Sequence, residues 1–130
     1  MNNNDIIRLS FPINPAYVSS ARLTASSVAN RVHFDIDEIE DIKTAVSEAC
    51  TYIIKRLPST AKSTFEICFQ PGDSEMRVEI VATGERLQPT ADDMSIMMIK
   101  ALMDEFDITQ PDDGQIHITM VKRHTETRFE

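Results

Sequence analysis

The chain has 130 residues, 42% hydrophobic and 26% charged, which suits a single packed domain over residues 1–130 and is too short for two of ordinary size. A formal net charge of −8 argues against direct nucleic-acid binding, which needs concentrated Lys and Arg; only Lys122-Arg123-His124 comes close. No apolar run is long enough to cross a membrane, and the opening Met-Asn-Asn-Asn-Asp lacks the basic and apolar parts of a signal peptide, so a cytoplasmic protein with no membrane role is expected.

Asp5 to Phe11 alternates around Ile7, Leu9 and Phe11, the pattern of an opening strand stopped by Pro12. After Pro15, Val18, Ala21, Ala25, Val28 and Val32 recur at three and four residues, which predicts one buried helix face. The opposite face is rich in Ser and Thr, so packing rather than propensity must hold this helix. A second helix starts in the acidic run Asp37-Glu38-Ile39-Glu40, with Asp37 as N-cap and Glu40 as its reciprocal partner. Ile39, Ile42, Val46, Ala49 and Ile53 form its buried stripe, and Pro58 ends it.

Two strands follow, through Phe65, Ile67 and Phe69 and then Met76, Val78 and Ile80, joined by the turn Pro71-Gly72-Asp73-Ser74. Ala82 to Asp93 reads as loop. Met94 to Phe106 predicts a third helix, buried through Ile96, Ile99, Met103 and Phe106; a turn at Gln110 to Gly114 leads to a last strand through Ile116, Ile118 and Met120. Strand, two helices, hairpin, helix and strand make an α+β chain: a two-layer sandwich with helices on one face of a mostly antiparallel sheet.

Cys50 and Cys68 lack zinc-site spacing and read as free thiols, while His33, His117 and His124 are scattered. Met94, Met97, Met98 and Met103 read as flexible core filler, with an adaptable Met-rich binding face as the alternative. Arg22 reads as a lone exposed arginine.

Two blocks, Asp41-Ile-Lys-Thr-Ala-Val-Ser-Glu-Ala-Cys-Thr-Tyr-Ile-Ile54 and Ile99-Lys-Ala-Leu-Met-Asp-Glu-Phe-Asp-Ile108, resemble the anti-sigma-factor serine/threonine kinases, small members of the GHKL (histidine-kinase-like, Bergerat-fold) ATPases. The resemblance covers nearly the whole chain, including the element order. It implies a Glu-x-x-x-Asn pair on a helix, where residues four apart share a face: Glu as general base, Asn as ligand of the magnesium that bridges the ATP phosphates. Here Glu48 occupies the base position, and Tyr52 stands at the metal position. Magnesium favours small hard oxygen ligands in tight octahedral geometry, which a phenol supplies poorly.

The resemblance also implies an Asp-x-Gly run that reads adenine. Here it is Ala82-Thr83-Gly84, and a methyl group accepts no hydrogen bond. The glycines of the phosphate-cradling run before the last helix fall at Asp93 and Ser95, behind a short acidic lid from Glu85 to Asp92. A carboxylate about 4 Å from a phosphate repels it by roughly 1–4 kcal/mol.

Metal coordination, base reading and phosphate binding are thus altered together. The expectation is a regulatory protein with ATP binding and kinase activity lost or weak and no cofactor required. By resemblance, its partners are a sigma factor and a STAS-type anti-anti-sigma factor in a partner-switching circuit, and the chain forms a homodimer. Two alternatives stand: an active Mg-ATP-dependent serine/threonine kinase with Glu48 as base, or a GHKL-like scaffold bound to an unrelated protein. Glu48 in the first choice is either a retained polar group or a solvated helix residue. Tyr52 either fills the vacated pocket or lies on a dimer or partner surface.

Overall fold

The computed structural model describes residues 5–56, 64–83, 94–110 and 115–125. Among these, the order is β1 (Ile7–Pro12), a single 3-10 turn (Pro15–Tyr17), α1 (Val18–Ala29), α2 (Ile36–Arg56), β2 (Thr64–Pro71), β3 (Glu75–Thr83), α3 (Met94–Leu102), β4 (Glu105–Thr109) and β5 (Gln115–Arg123). The strands form one sheet in the order β1-β2-β3-β5-β4, antiparallel at every pairing. The α+β expectation holds.

Period-two alternation decides which side of the sheet meets the helices. The register aligns Leu9 with Ile67, Ile67 with Ile80, Ile80 with Ile118, and Ile118 with Ile108. One continuous apolar row therefore crosses all five strands. Ile67, Ile80 and Ile118 in it are fully buried, and Leu9 and Ile108 pack against the core from the edge strands. The helices close this face. Ile42, Val46, Ala49 and Ile53 of α2 and Ala21, Ala25 and Ala29 of α1 are all at most fractionally exposed. Alanine at the α1 positions lets the two helices approach closely.

Four local expectations are corrected. The α2 cap lies two residues earlier than the sequence reading put it. Asp35 Oδ1 accepts from Glu38 N at 2.8 Å, and Glu38 Oε1 accepts from Asp35 N at 2.8 Å. Glu40 instead pairs with Lys43 Nζ at 2.9 Å. The third helix ends at Leu102, and Phe106 belongs to β4, which pairs with β5 from Glu105 to Thr109. Ala82 lies inside β3 rather than in a loop. Met94, Met97 and Met98 are 75%, 62% and 41% exposed, so of the four methionines expected in the core only Met103 is buried there. Pro58 lies outside the described residues.

Long-range ties fix the helices to the sheet. Lys122 Nζ on β5 donates to Asp41 Oδ2 of α2 at 3.0 Å and to the Leu102 carbonyl at 2.6 Å, which satisfies an orphan carbonyl at the end of α3. Glu38 Oε1 also lies 2.8 Å from His124 Nδ1, and Glu38 Oε2 accepts from Thr125 N at 2.9 Å. The residues just past β5 are thereby tied to the start of α2.

Both cysteines are free. Cys50 is completely buried, and burial pushes its thiol up to about 12. Cys68 is half-buried on the outer sheet face, where its Sγ accepts from Gln70 Nε2 at 3.6 Å. Reactivity follows the thiolate and its access. A disulfide-exchange reagent at neutral pH is therefore expected to modify Cys68 in the native protein and Cys50 only once denaturant is added. Equal rates for both thiols in the native state would contradict this assignment.

Candidate functional site

The middle of α2 carries Glu48 and Tyr52 one turn apart, on the side that packs against α3 and the core. Helical spacing alone brings two such residues together. Glu48 is half-buried. Its Oε1 accepts a hydrogen bond from Ser95 Oγ in the first turn of α3 at 2.8 Å, and Ser95 is only 7% exposed. Two residues that the sequence placed in one site, far apart along the chain, are therefore in direct contact.

Tyr52 is 4% exposed. The Arg56 guanidinium lies over its ring, 3.9 Å from the centroid, and Arg56 Nη1 donates to the Tyr52 carbonyl at 3.3 Å. A cation over an aromatic face is held by the ring quadrupole. Sequence reading missed Arg56, although the four-residue spacing from Tyr52 was the available signal. Of the two roles weighed for Tyr52, filling the interior matches its burial; this chain alone gives it no surface to present.

Ala82 is 1% exposed and sits in the core face of β3, opposite Phe65 and Ile116. It offers only a methyl group where the resemblance implies an acceptor for adenine. Gly84, Asp93 and the run from Glu85 to Asp92 lie outside the described residues. The resemblance implies a magnesium ligand at position 52 and an adenine acceptor at position 82; the structure has a buried phenol at the first and a buried methyl group at the second. Among the described residues no group of three or more His, Cys, Asp or Glu is placed to hold a metal ion, and no helix is long and apolar enough to cross a membrane.

A separate cleft of about 520 Å³ opens between the start of β1 and α1, lined by Asp5, Ile6, Thr24, Ser27, Arg31 and Pro71 among others. None of its lining residues belongs to α2 or α3, so it is not an extension of the Glu48 site.

Comparison with known proteins bears on the same elements. The serine-protein kinase RsbW of Bacillus subtilis (strain 168) is 42% identical over 84 residues, which make up 65% of this chain and 52% of that protein. The serine-protein kinase RsbW of Bacillus cereus (strain G9842) is 34% identical over 105 residues, or 81% of this chain and 61% of that protein. The chain thus spans about half the length of the first of these relatives and somewhat more of the second. Among solved structures, the RsbU and RsbW domains of a Mycobacterium tuberculosis protein superpose with a TM-score of 0.69 at 15% identity. That match covers 92% of this chain and 32% of the other, and it speaks to the fold. The family described as "Histidine kinase-like ATPase domain" matches residues 11–122, from the end of β1 to the penultimate residue of β5, and the chain belongs to that family.

Proposed function

We propose that this chain is an anti-sigma-type regulatory domain that works by binding protein partners, with nucleotide binding and phosphoryl transfer lost or weak. The observation that carries the reading is Tyr52, buried beneath Arg56 at the position where the family resemblance puts a magnesium ligand. Ala82 supports it, because a methyl group at 1% exposure cannot read a base. On this reading the partners are a sigma factor and a STAS-type anti-anti-sigma factor, the setting is the cytoplasm, and the chain pairs as a homodimer. Switching runs on competition: one partner covers a surface and excludes the other, and each 1.4 kcal/mol of relative affinity is worth about tenfold.

A second reading, an active serine/threonine kinase, is favoured by one observation. Glu48 keeps its place on α2 and a polar neighbour in Ser95. Phosphoryl transfer, however, depends on positioning and on metal stabilisation of charge, and the Tyr52 position supplies no carboxamide for the metal.

Thermal unfolding with millimolar ATP, with and without magnesium, separates the two. A ligand at about 100 times its Kd stabilises by roughly 2.7 kcal/mol, which raises the melting temperature of a domain of this size by roughly several degrees. The expected result is no magnesium-dependent shift. A clear shift would replace the binding-module reading by the kinase reading.

A further inference from the structure

β1 is an edge strand: it pairs with β2 and with no other described strand. The N–H and C=O groups along its outer side are therefore offered to a further strand. The opposite edge of the sheet, β4, is guarded against such pairing, being five residues long with Glu105 and Asp107 on it. β1 is less guarded. Its six residues carry one charge, Arg8, and Ile7, Leu9 and Phe11 on its helix side are only partly buried. The cleft of about 520 Å³ opens beside its start, with Ile6, Ile7 and Val28 as apolar lining and Arg31 among its polar groups.

Charge gives the edge a sign. As far as Phe34 the chain has three arginines, Arg8, Arg22 and Arg31, against one carboxylate, Asp5, although the whole chain carries −8. Arg8 and Arg31 are exposed, and neither has an ion-pair partner among the described residues. We infer that β1 is a docking edge for an extended, acidic segment of a partner protein, which adds one more strand to the sheet. In strand addition the backbone hydrogen bonds give affinity, and pockets for alternate side chains give specificity. The alternation of β1 dictates that of its partner. One set of added side chains continues the apolar face of Ile7, Leu9 and Phe11, with an apolar group seated in the cleft. The other set lies beside Arg8, where Asp or Glu is favoured, and an acidic group at the cleft pairs with Arg31. The inference rests on the reading of this chain as a module that binds protein partners.

The probe is a fluorescent hexapeptide that alternates valine and glutamate, with the valine–lysine sequence as control. Anisotropy titration should show saturable binding of the glutamate peptide, tighter than that of the lysine peptide by about tenfold or more. Arg8→Glu/Arg31→Glu should weaken it by about tenfold or more; both side chains are exposed, so the variant keeps its fold. Only alternate amides of an added strand bond to the edge. N-methylation of the valine residues alone and of the glutamate residues alone should therefore have opposite outcomes, one abolishing binding and the other leaving it. Hydrogen exchange should slow over Ile7–Pro12 when the peptide is added and stay unchanged in β4.

No saturable binding, equal binding of the lysine peptide, or equal effects of the two methylations would each overturn the docking edge. So would β1 exchange that slows with protein concentration in the absence of peptide, which would assign the edge to a second copy of this chain. None of these results touches the nucleotide site. The partner-binding reading is tested separately, and a magnesium-dependent ATP shift in thermal unfolding replaces it whatever the peptide does.

Discussion

Replacing Ile80 by alanine is expected to lower stability by about 2–5 kcal/mol, the range for a large aliphatic side chain deleted from a closed core. Ile80 lies in β3, the middle strand of five, and is fully buried. It pairs with Ile67 on one side and Ile118 on the other, both also fully buried. The cavity would sit at the centre of the apolar row, where the flanking strands are held in register and cannot collapse into it. For a domain of this size the melting temperature should fall by roughly 8–20 °C. Ile36→Ala is the matched control: Ile36 is 78% exposed, and a change there should stay within about 0.5 kcal/mol. Denaturant or thermal unfolding of both variants measures the contrast. Equal losses would mean that the row across the sheet is not the centre of the core.

Glu38→Ala should cost about 2–4 kcal/mol, combining loss of a helix cap with loss of charge-assisted hydrogen bonds to a largely buried carboxylate. Four contacts converge on this residue: Asp35 N and Asp35 Oδ1 at the helix start, His124 Nδ1, and Thr125 N. Alanine would orphan the Asp35 and Thr125 N–H groups and release the chain beyond β5 from the start of α2. The effect has a pH signature. Burial pushes the Glu38 carboxyl up, but hydrogen bonds from Thr125, Asp35 and His124 outweigh it and hold the group below its ordinary 4.5.

A carboxyl with a depressed folded pKa contributes its full stabilisation above the unfolded value and loses it as pH falls through the folded one. The stability gap between wild type and Glu38→Ala should therefore be steady near neutrality and narrow on acidification below about 4.5. Denaturant titrations across that window read the gap directly. A gap that stays constant into strong acid would show that Glu38 acts through packing alone.

The strands were legible where alternation was long and unambiguous, as in Phe65-Ile67-Phe69 and Met76-Val78-Ile80. β4 was missed because its apolar residues satisfy two periods at once. Phe106 continues the helical spacing of Ile99 and Met103, and also alternates with Ile108. The choice between them is made at long range, by Asp104 N donating to the Val121 carbonyl and Asp104 Oδ2 accepting from Arg123 N. The α2 cap was ambiguous for a similar reason. Asp35-x-x-Glu38 and Asp37-x-x-Glu40 both fit the pattern, and the partners that favour the first, His124 and Thr125, arrive from the far end of the chain. Glu48, Tyr52, Ala82 and Ser95 were named as candidates from motif spacing. That Ser95 and Glu48 touch depends on how α3 lies on α2, which no local pattern encodes.

The exposed methionines of α3 show the opposite failure. Met94, Met97 and Met98 satisfy a helical apolar pattern yet face outward, because α3 buries Ser95 and Ile99 instead. Periodicity identifies a face and leaves open which face turns inward.

The pairing of β1 with β2 shapes how the chain can assemble. Both strands of the β2–β3 hairpin lie close together in sequence, so closing that loop costs little entropy. β1 must wait, because its partner is separated from it by the whole of α1 and α2. During synthesis β1 leaves the ribosome before β2 and is thus held without this partner while α1 and α2 are made. It joins the sheet only once β2 has emerged, so non-local contacts of this kind set the pace of folding.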